Sequence, residues 1–148
     1  MRQAWAVLLA GLCVIGVTLT AQGARTFKAR LSPVPIDLAM QATIAGSGTA
    51  TATLNGTKLT IAGTFEGLKS SATIAKVHKS PVRGVRGPEI LDLTITTGQG
   101  ATSGTISGTF DLSPQQAGDL QNGRLYIQIH SEKAPDGNLW GWLLEKKQ

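Results

Sequence analysis

The chain has two histidines, His78 and His130, and each lies near the end of a predicted strand. Side chains alternate along a strand, so Lys76 shares a face with His78, and Tyr126 shares a face with His130. If the two strands are neighbours, the imidazoles can meet. Two interpretations stay open: a copper or zinc site, or histidines that hydrogen-bond to backbone or carboxylate groups at the strand ends.

A metal site at these histidines is short of ligands. A closed zinc site takes four protein ligands and a catalytic one takes at least three. Asp92 or Glu89 can supply oxygen, but no spacing requires it, and the cation Lys76 would repel a metal ion. We therefore predict no metal or other cofactor, and keep copper or zinc bound by His78 and His130 as the alternative.

A loop rich in glycine and proline follows the strand of His78, at residues 80–88 (SPVRGVRGP). It carries Arg83 and Arg86, whose guanidinium groups can bind a carboxylate or phosphate through paired N–H donors. It is not a P-loop, because the lysine spacing and the following helix are missing. Binding of an anion or acidic polymer is one interpretation, and a solvated loop that keeps a sheet edge from pairing is the other.

Trp140 and Trp142 lie two residues apart in the last predicted strand and share one face, while Leu139 and Leu143 share the other. One of these faces must be the core. If the tryptophans lie outside, they form with Tyr126 an aromatic surface for a sugar ring or a partner protein. If they lie inside, they are large core residues, and this second arrangement is the one we expect.

Signatures of catalysis are weak in this sequence. It contains no Gly-x-Ser-x-Gly nucleophile motif, and its acidic residues are scattered over predicted turns and outward faces. The single cysteine, Cys13, lies in the N-terminal segment. We therefore predict that the chain is not an enzyme.

The N-terminal segment predicts a secretory leader. Arg2 precedes an apolar run from Ala4 to Leu19, which is followed by small residues. The run is shorter than the roughly 20 apolar residues that span a bilayer comfortably. We expect a signal peptide at residues 1–23 and one domain at residues 24–148, periplasmic or secreted after cleavage and in contact with the membrane only transiently, through its leader.

The expected mature chain is mildly basic and has no cysteine. Of 14 basic residues Arg2 is removed, which leaves 13 against nine acidic residues, a net charge of +4. Stability must come from packing, because no disulfide is available. Basic residues do not interleave with aromatic ones in a stripe, so nucleic acid is not an expected partner.

Alternating polar and apolar residues predict an all-β fold. Eight strands are expected, at residues 27–31, 49–54, 57–65, 71–79, 89–96, 106–112, 124–131 and 138–144. Asn55-Gly56 predicts a type I′ turn that places Ala52 opposite Leu59. Strands with short connections fit a sandwich or a barrel, and we predict an antiparallel β-sandwich of the Ig-like, Greek-key type.

One short helix is expected between the strands at 106–112 and 124–131. Ser113 is a suitable N-cap, Pro114 fits the first helical position, and Gln116 completes a capping box. Asn122-Gly123 is expected to end the helix.

The order of several short motifs resembles the CHRD (chordin) domain family over nearly the whole expected mature chain. The motifs are the strand Phe27-x-Ala29-x-Leu31 followed by Pro33 and Pro35, the small residues Gly46, Gly48 and Ala50, Phe65-Glu66-Gly67-Leu68, Ala75-Lys76-Val77-His78, Ser113 to Gly123, Tyr126-x-x-x-His130, and a Pro135-x-Gly137 turn. Lys76 stands where the family has the first histidine of a His-x-His pair, and Trp140 replaces the arginine of its closing motif. The resemblance implies a secreted β-rich domain, found in chordin-like proteins and as a bacterial exported protein.

We therefore expect an exported, non-enzymatic binding or structural module whose partner is an extracytoplasmic protein or polysaccharide. A periplasmic copper- or zinc-binding protein is the alternative. The candidate binding residues are Lys76, His78, Arg83, Arg86, Tyr126, His130, Trp140 and Trp142.

Overall fold

The structure is a computed structural model, and it describes residues 23–146. The predicted leader, with Cys13, lies outside the described residues apart from Gly23. No helix within residues 23–146 combines the length and the apolar character that crossing a membrane requires.

Antiparallel strands make up most of the described chain, which confirms the all-β prediction. They are β1 (Arg25–Pro33), β2 (Ser47–Asn55), β3 (Lys58–Glu66), β4 (Ala72–Lys79), β5 (Glu89–Thr97), β6 (Gly104–Asp111), β7 (Leu125–Ser131), β8 (Ala134–Trp142) and β9 (Leu144–Glu145). A 3-10 turn, Met40–Ala42, precedes β2, and helix α1 (Pro114–Gln121) joins β6 to β7.

The strands close into a barrel, so the predicted Ig-like sandwich is wrong. The closed order is β1-β2-β3-β6-β5-β4-β7-β8, and β9 adds to β1. Closure occurs because β1 changes partner along its length: Arg25 to Leu31 pair with β2, whereas Ser32 and Pro33 pair with β8. A sandwich would leave the edges of two sheets unpaired, and this pairing removes them.

Apolar side chains that alternate with polar ones fill the barrel. Val77, Ile127 and Leu139 are fully buried on the inner faces of β4, β7 and β8. Each large side chain removed from water in this way contributes roughly 1.5–3 kcal/mol. Leu120 of α1 joins the same buried cluster, so the helix packs on the core of the barrel.

The hairpin of β2 and β3 forms in the predicted place but in a different register. Leu54, and not Ala52, lies opposite Leu59. Gly56 has a φ of +62° and takes the first central position of the turn, which leaves Asn55 in the strand. The register differs by two residues, so the predicted apolar face still points inward.

Helix α1 begins as predicted. The Ser113 hydroxyl accepts a hydrogen bond from the Gln116 backbone at 3.2 Å, and the Gln116 side chain accepts one from the Ser113 backbone at 2.9 Å. Gly123 has a φ of +67° after the helix, where its amide donates to the Leu120 carbonyl at 3.0 Å.

Candidate functional site

Six polar or aromatic side chains share the outer face of three adjacent strands. Across β4, β7 and β8 the register forms two rows, His78–Tyr126–Trp142 and Lys76–Gln128–Trp140. The alternate residues of these strands, Val77 and Ile127 among them, point into the barrel. Four of these six residues, together with His130 from the same face of β7, are called the aromatic face: His78, Tyr126, His130, Trp140 and Trp142.

The tryptophans lie on the outer side of the barrel, so the expectation that they are core residues is wrong. Leu139 is fully buried in the barrel, and so is Leu143 just after β8. Trp140 and Trp142 alternate with these leucines and remain partly exposed. Their rings contact each other edge to face, with centroids 4.7 Å apart.

Tyr126 is the centre of the aromatic face and is 1 % exposed, although it points away from the barrel core. Its ring stacks on His78 at 4.9 Å and on Trp142 at 4.8 Å, between centroids. Its hydroxyl accepts a hydrogen bond from the Gly87 amide at 3.0 Å. The phenol is thus covered by its neighbours and by the loop that follows β4.

That loop, residues 80–88, is tied down at its ends. The Ser80 amide donates to the Arg124 carbonyl at 2.7 Å, and the Ser80 hydroxyl donates to the Val85 carbonyl at 2.6 Å. The Lys79 amide donates to the Pro88 carbonyl at 2.9 Å. Between these anchors, residues 81–86 are exposed.

The two arginines of this loop are exposed. The Arg86 guanidinium lies over the ring of Trp140, 5.9 Å from its centroid, and donates to the Asp136 carbonyl. The Arg83 guanidinium lies close to Gly123. Within residues 23–146 neither arginine forms an ion pair with a carboxylate. Both cations are therefore available to an anionic ligand.

Backbone carbonyls on opposite sides of the site hold the two histidines. His78 Nδ1 lies 3.0 Å from the Gly87 carbonyl oxygen, and His130 Nδ1 lies 2.7 Å from that of Pro135. The ring centroids are 6.4 Å apart. Both histidines thus hydrogen-bond to the backbone through Nδ1.

Burial sets the protonation of His78. The side chain is 7 % exposed, and desolvation lowers the pKa of its imidazole below the ordinary value. The hydrogen bond to Gly87 acts in the opposite direction but is the smaller effect. His78 is therefore neutral at pH 7, and its Nε2 atom is buried without a hydrogen-bond partner within residues 23–146.

Lys76 is directed away from the histidines and toward β5. Its ammonium pairs with Glu89 and lies 3.3 Å from Asp92, and these hydrogen bonds raise the pKa of Lys76. Both carboxylates considered as metal ligands are thus engaged by a lysine. Within residues 23–146 no group of three or more His, Cys, Asp or Glu side chains is arranged to hold a metal ion.

A bulge in β8 organises the site, and the sequence did not reveal it. Residues 135–137, predicted as a turn, lie within β8, and the register with β7 shifts between Ile129 and Ser131. The bulge presents the carbonyls of Pro135 and Asp136, which accept from His130 and from Gln128 Nε2, the latter at 3.2 Å. Gly137, with a φ of +123°, permits this path.

Gln128 was not among the candidate residues, yet it contacts His130. It is 3 % exposed, and its Nε2 atom is 3.1 Å from His130 Nε2. Its position between Tyr126 and His130 on the polar face of a strand was the available signal. The carbonyls of Gly87, Pro135 and Asp136 could not be found in this way, because a backbone group leaves no mark in the residue pattern.

Comparison with known families gives one match. The model of a family described as CHRD domain matches residues 27–143, which include all eight candidate residues. No curated protein and no solved structure gives a significant match to the chain.

Proposed function

The chain belongs to the CHRD domain family, and from this premise we propose that it is an exported, non-enzymatic module that binds a protein or polysaccharide through the aromatic face and the adjacent loop at residues 80–88. Export follows from the leader expected at residues 1–23, and the site of action is the periplasm or the exterior. The bacterial exported type of the family fits this arrangement.

One observation carries the proposal: within residues 23–146 two exposed guanidinium groups of one loop form no ion pair with a carboxylate, and one of them lies over a partly exposed tryptophan. Arg86 lies over Trp140, and Trp140 contacts Trp142. A surface of this composition suits recognition, because aromatic rings stack on sugar or apolar groups and guanidinium groups bind carboxylates or sulfates. Tryptophan and arginine are also the residues most often found to dominate binding surfaces.

The loop also carries apolar surface. Val82 and Val85 are 60 % and 46 % exposed on either side of Arg83. Apolar side chains held in water next to cations favour a ligand that offers both an anionic group and an apolar surface. An acidic polysaccharide and an acidic protein segment both meet this description.

Binding of defined polymers by the full chain tests the proposal. Heparin and polygalacturonate serve as sulfated and carboxylated probes, with dextran as the neutral polymer. We expect binding to an acidic polymer that weakens roughly tenfold for each of Arg83→Ala and Arg86→Ala, since a charge-assisted hydrogen bond contributes about 1.5–3 kcal/mol. If no polymer binds, the same variants are compared for retention of proteins from the exported fraction.

The matched control is Lys58→Ala. It removes one positive charge, as each arginine variant does, from an exposed position on β3, on the other side of the barrel from the aromatic face. Equal weakening in this control would indicate attraction by net charge alone, and would contradict a binding surface at the loop. N-terminal sequencing of the chain from the extracytoplasmic fraction tests export, with a start near residue 24 as the expected result.

A further inference from the structure

We propose that the edge of β5 at residues 90–93 binds an extended, basic segment of a partner protein, which adds to this edge as a further strand. The edge faces β6, and two strands, β4 and β5, separate it from β7 and β8 of the aromatic face. It does not use Arg83 or Arg86. The site is therefore distinct from the surface to which the proposed function assigns ligand binding.

The ladder of the barrel is interrupted between β5 and β6. Residues 94–97 of β5 pair with β6, from Thr94 opposite Ser107 to Thr97 opposite Gly104. Residues 89–93 pair with β4 instead, and within residues 23–146 no strand pairs with their other edge. Residues 108–111 of β6 likewise pair with β3 and not with β5. Two strand edges thus face one cleft without pairing across it.

The edge of β5 offers backbone groups for hydrogen bonding. Alternate residues of a strand direct their N–H and C=O groups to opposite sides, so about two of residues 90–93 present these groups to the cleft. An edge of this kind is a template for pairing with another chain. The spacing of its donors and acceptors matches that of a second peptide backbone. A polypeptide is therefore the expected ligand of this edge.

The cleft beside this edge combines apolar and acidic side chains. It has a volume of about 400 Å³ and is lined by Glu89, Ile90, Leu91, Asp92 and Phe110. Its three apolar side chains pack against the core of the barrel and remain partly exposed. They supply an apolar contact for the side chains on one face of an added strand, while the backbone supplies the hydrogen bonds.

The floor of the cleft is aromatic. Phe110 follows the inward alternation of β6, and its ring lies over Gly108, where an added Cβ would be 2.6 Å from two ring atoms. The same Cβ would lie 3.0 Å from the Leu93 side chain of β5. The ring thus lies where β6 approaches β5. An apolar side chain of the added strand would cover the exposed part of this ring.

The charge of the cleft selects a basic segment. Glu89 and Asp92 line it, and the Asp92 side chain is 85 % exposed. Lys76 pairs with both carboxylates and compensates one of their two charges, so this group remains net negative. The chain as a whole carries a net charge of +5. A partner with lysine or arginine beside its apolar residues is therefore complementary to this edge and not to the rest of the surface.

The same charge disfavours pairing with a second copy of this chain. Joining two β5 edges would bring the Glu89 and Asp92 side chains of both copies together, and like charges on paired strands are destabilising. Charged side chains on an edge are a common protection against self-association. A basic partner strand meets no such repulsion.

Binding of synthetic peptides to the full chain tests the proposal. The probe is a short peptide of alternating lysine and valine, and its controls are the same peptide with N-methylated backbone amides and a peptide of alternating glutamate and valine. We expect the lysine peptide to bind saturably and to slow hydrogen exchange at amides within residues 90–93 roughly tenfold or more. Neither control peptide should bind, because one lacks backbone donors and the other has the wrong charge.

Asp92→Asn should weaken binding of the lysine peptide roughly two- to fivefold, which is the effect of one exposed ion pair. The matched control is Glu66→Gln, which also removes one negative charge. Glu66 lies at the end of β3 opposite to Lys58, whereas the free part of β6 pairs with the Lys58 end. This variant should bind the peptide as the parent chain does.

Three results would overturn the proposal: no binding of the lysine peptide, equal binding of its N-methylated form, or protection confined to amides outside residues 90–93. Slow exchange of these amides in a dimer of the chain alone, seen by sedimentation, would assign the edge to a second copy and would also overturn it. Arg86→Ala should bind the lysine peptide normally, although its binding of an acidic polymer is expected to weaken. Failure of this proposal and failure of the proposed function are thus distinguishable.

Discussion

The imidazole rings of His78 and His130 lie 6.4 Å apart, although His78 is paired with Tyr126, four residues before His130 on β7. Strand positions so far separated do not bring side chains together by register alone. A backbone carbonyl, of Gly87 for His78 and of Pro135 for His130, fixes the position of each ring. The loop after β4 and the bulge in β8 thus create the site.

Stability should fall as the pH is lowered past the ordinary pKa of histidine. The unfolded chain protonates His78 near pH 6.5, whereas burial lowers the pKa of the native imidazole, so the unfolded state binds more protons below pH 6.5. We expect the free energy of unfolding to decrease from pH 7.5 to pH 5, by at most about 1.4 kcal/mol per pH unit from this group. Urea unfolding at a series of pH values measures the slope.

The variants His78→Asn and His130→Gln show how much of this pH dependence of the free energy of unfolding is due to His78. His78→Asn should flatten the pH dependence, while His130→Gln, which leaves His78 in place, should retain the part due to His78. Lys76, Glu89 and His130 are the charged or titratable groups that act on His78. An identical slope in His78→Asn and the parent chain would show that the dependence arises elsewhere.

Gly87→Ala should detach the loop from the aromatic face. A Cβ at this position would overlap the carbonyl oxygen of Lys79, which belongs to the backbone and cannot move aside easily. The shift of Gly87 would break its hydrogen bonds to His78 and Tyr126, at about 1 kcal/mol each. We expect a loss of about 2–3 kcal/mol in the free energy of unfolding.

Gly98→Ala is the matched control for this substitution, because nothing lies within 4 Å of the added carbon. It should change stability by less than about 0.5 kcal/mol. The ring ¹⁵N resonance of His78 Nδ1 reports the detachment directly. A Gly87→Ala chain with unchanged stability and an unchanged resonance would contradict this account of the loop.

Asp119→Asn should loosen the base of the same loop. The Asp119 carboxylate is mostly buried and accepts from Lys79 Nζ at 2.8 Å, and the Arg124 guanidinium lies 3.9 Å away. Removing the charge leaves Lys79 without its partner, and we expect a loss of about 1–2 kcal/mol. Thermal unfolding measures it, with Asp111→Asn at an exposed position as the control. Equal effects of the two substitutions would argue against the anchoring role.

Local features of the fold could be predicted from the sequence because local residues determine them. The capping box of Ser113 and Gln116 forms as expected, since both hydrogen bonds join residues three apart. The strands follow the alternation of apolar residues, because one face of each strand must be buried. The inward face of the hairpin at Leu54 and Leu59 was found even though its register was not.

Pairing between distant strands could not be predicted in this way. The contact of Ser32 with Trp140 closes the barrel, and it joins residues more than a hundred positions apart. Alternation looks alike in a sandwich and in a barrel, so it does not distinguish them. It also left open which face of β8 is buried, and Trp142 proved to lie on the outer one.

Only part of the candidate site could be recognised from the sequence, because residue types can be read there and the positions of backbone groups cannot. His78, Tyr126 and His130 stand out by residue type, and the structure brings them together. What joins them is a set of backbone carbonyls and the buried amide of Gln128. Their positions depend on the path of the loop and of the bulge, which only the folded chain defines.

Chemical-shift mapping of the ¹⁵N-labelled chain during titration with its acidic ligand tests the central claim most directly. We predict that the largest changes fall on the side-chain N–H groups of Arg83, Arg86, Trp140 and Trp142, while the backbone amides of β3, on the other side of the barrel, do not move. Changes centred on the strands β2 and β3, with the loop at residues 80–88 unaffected, would contradict the assignment of the binding surface.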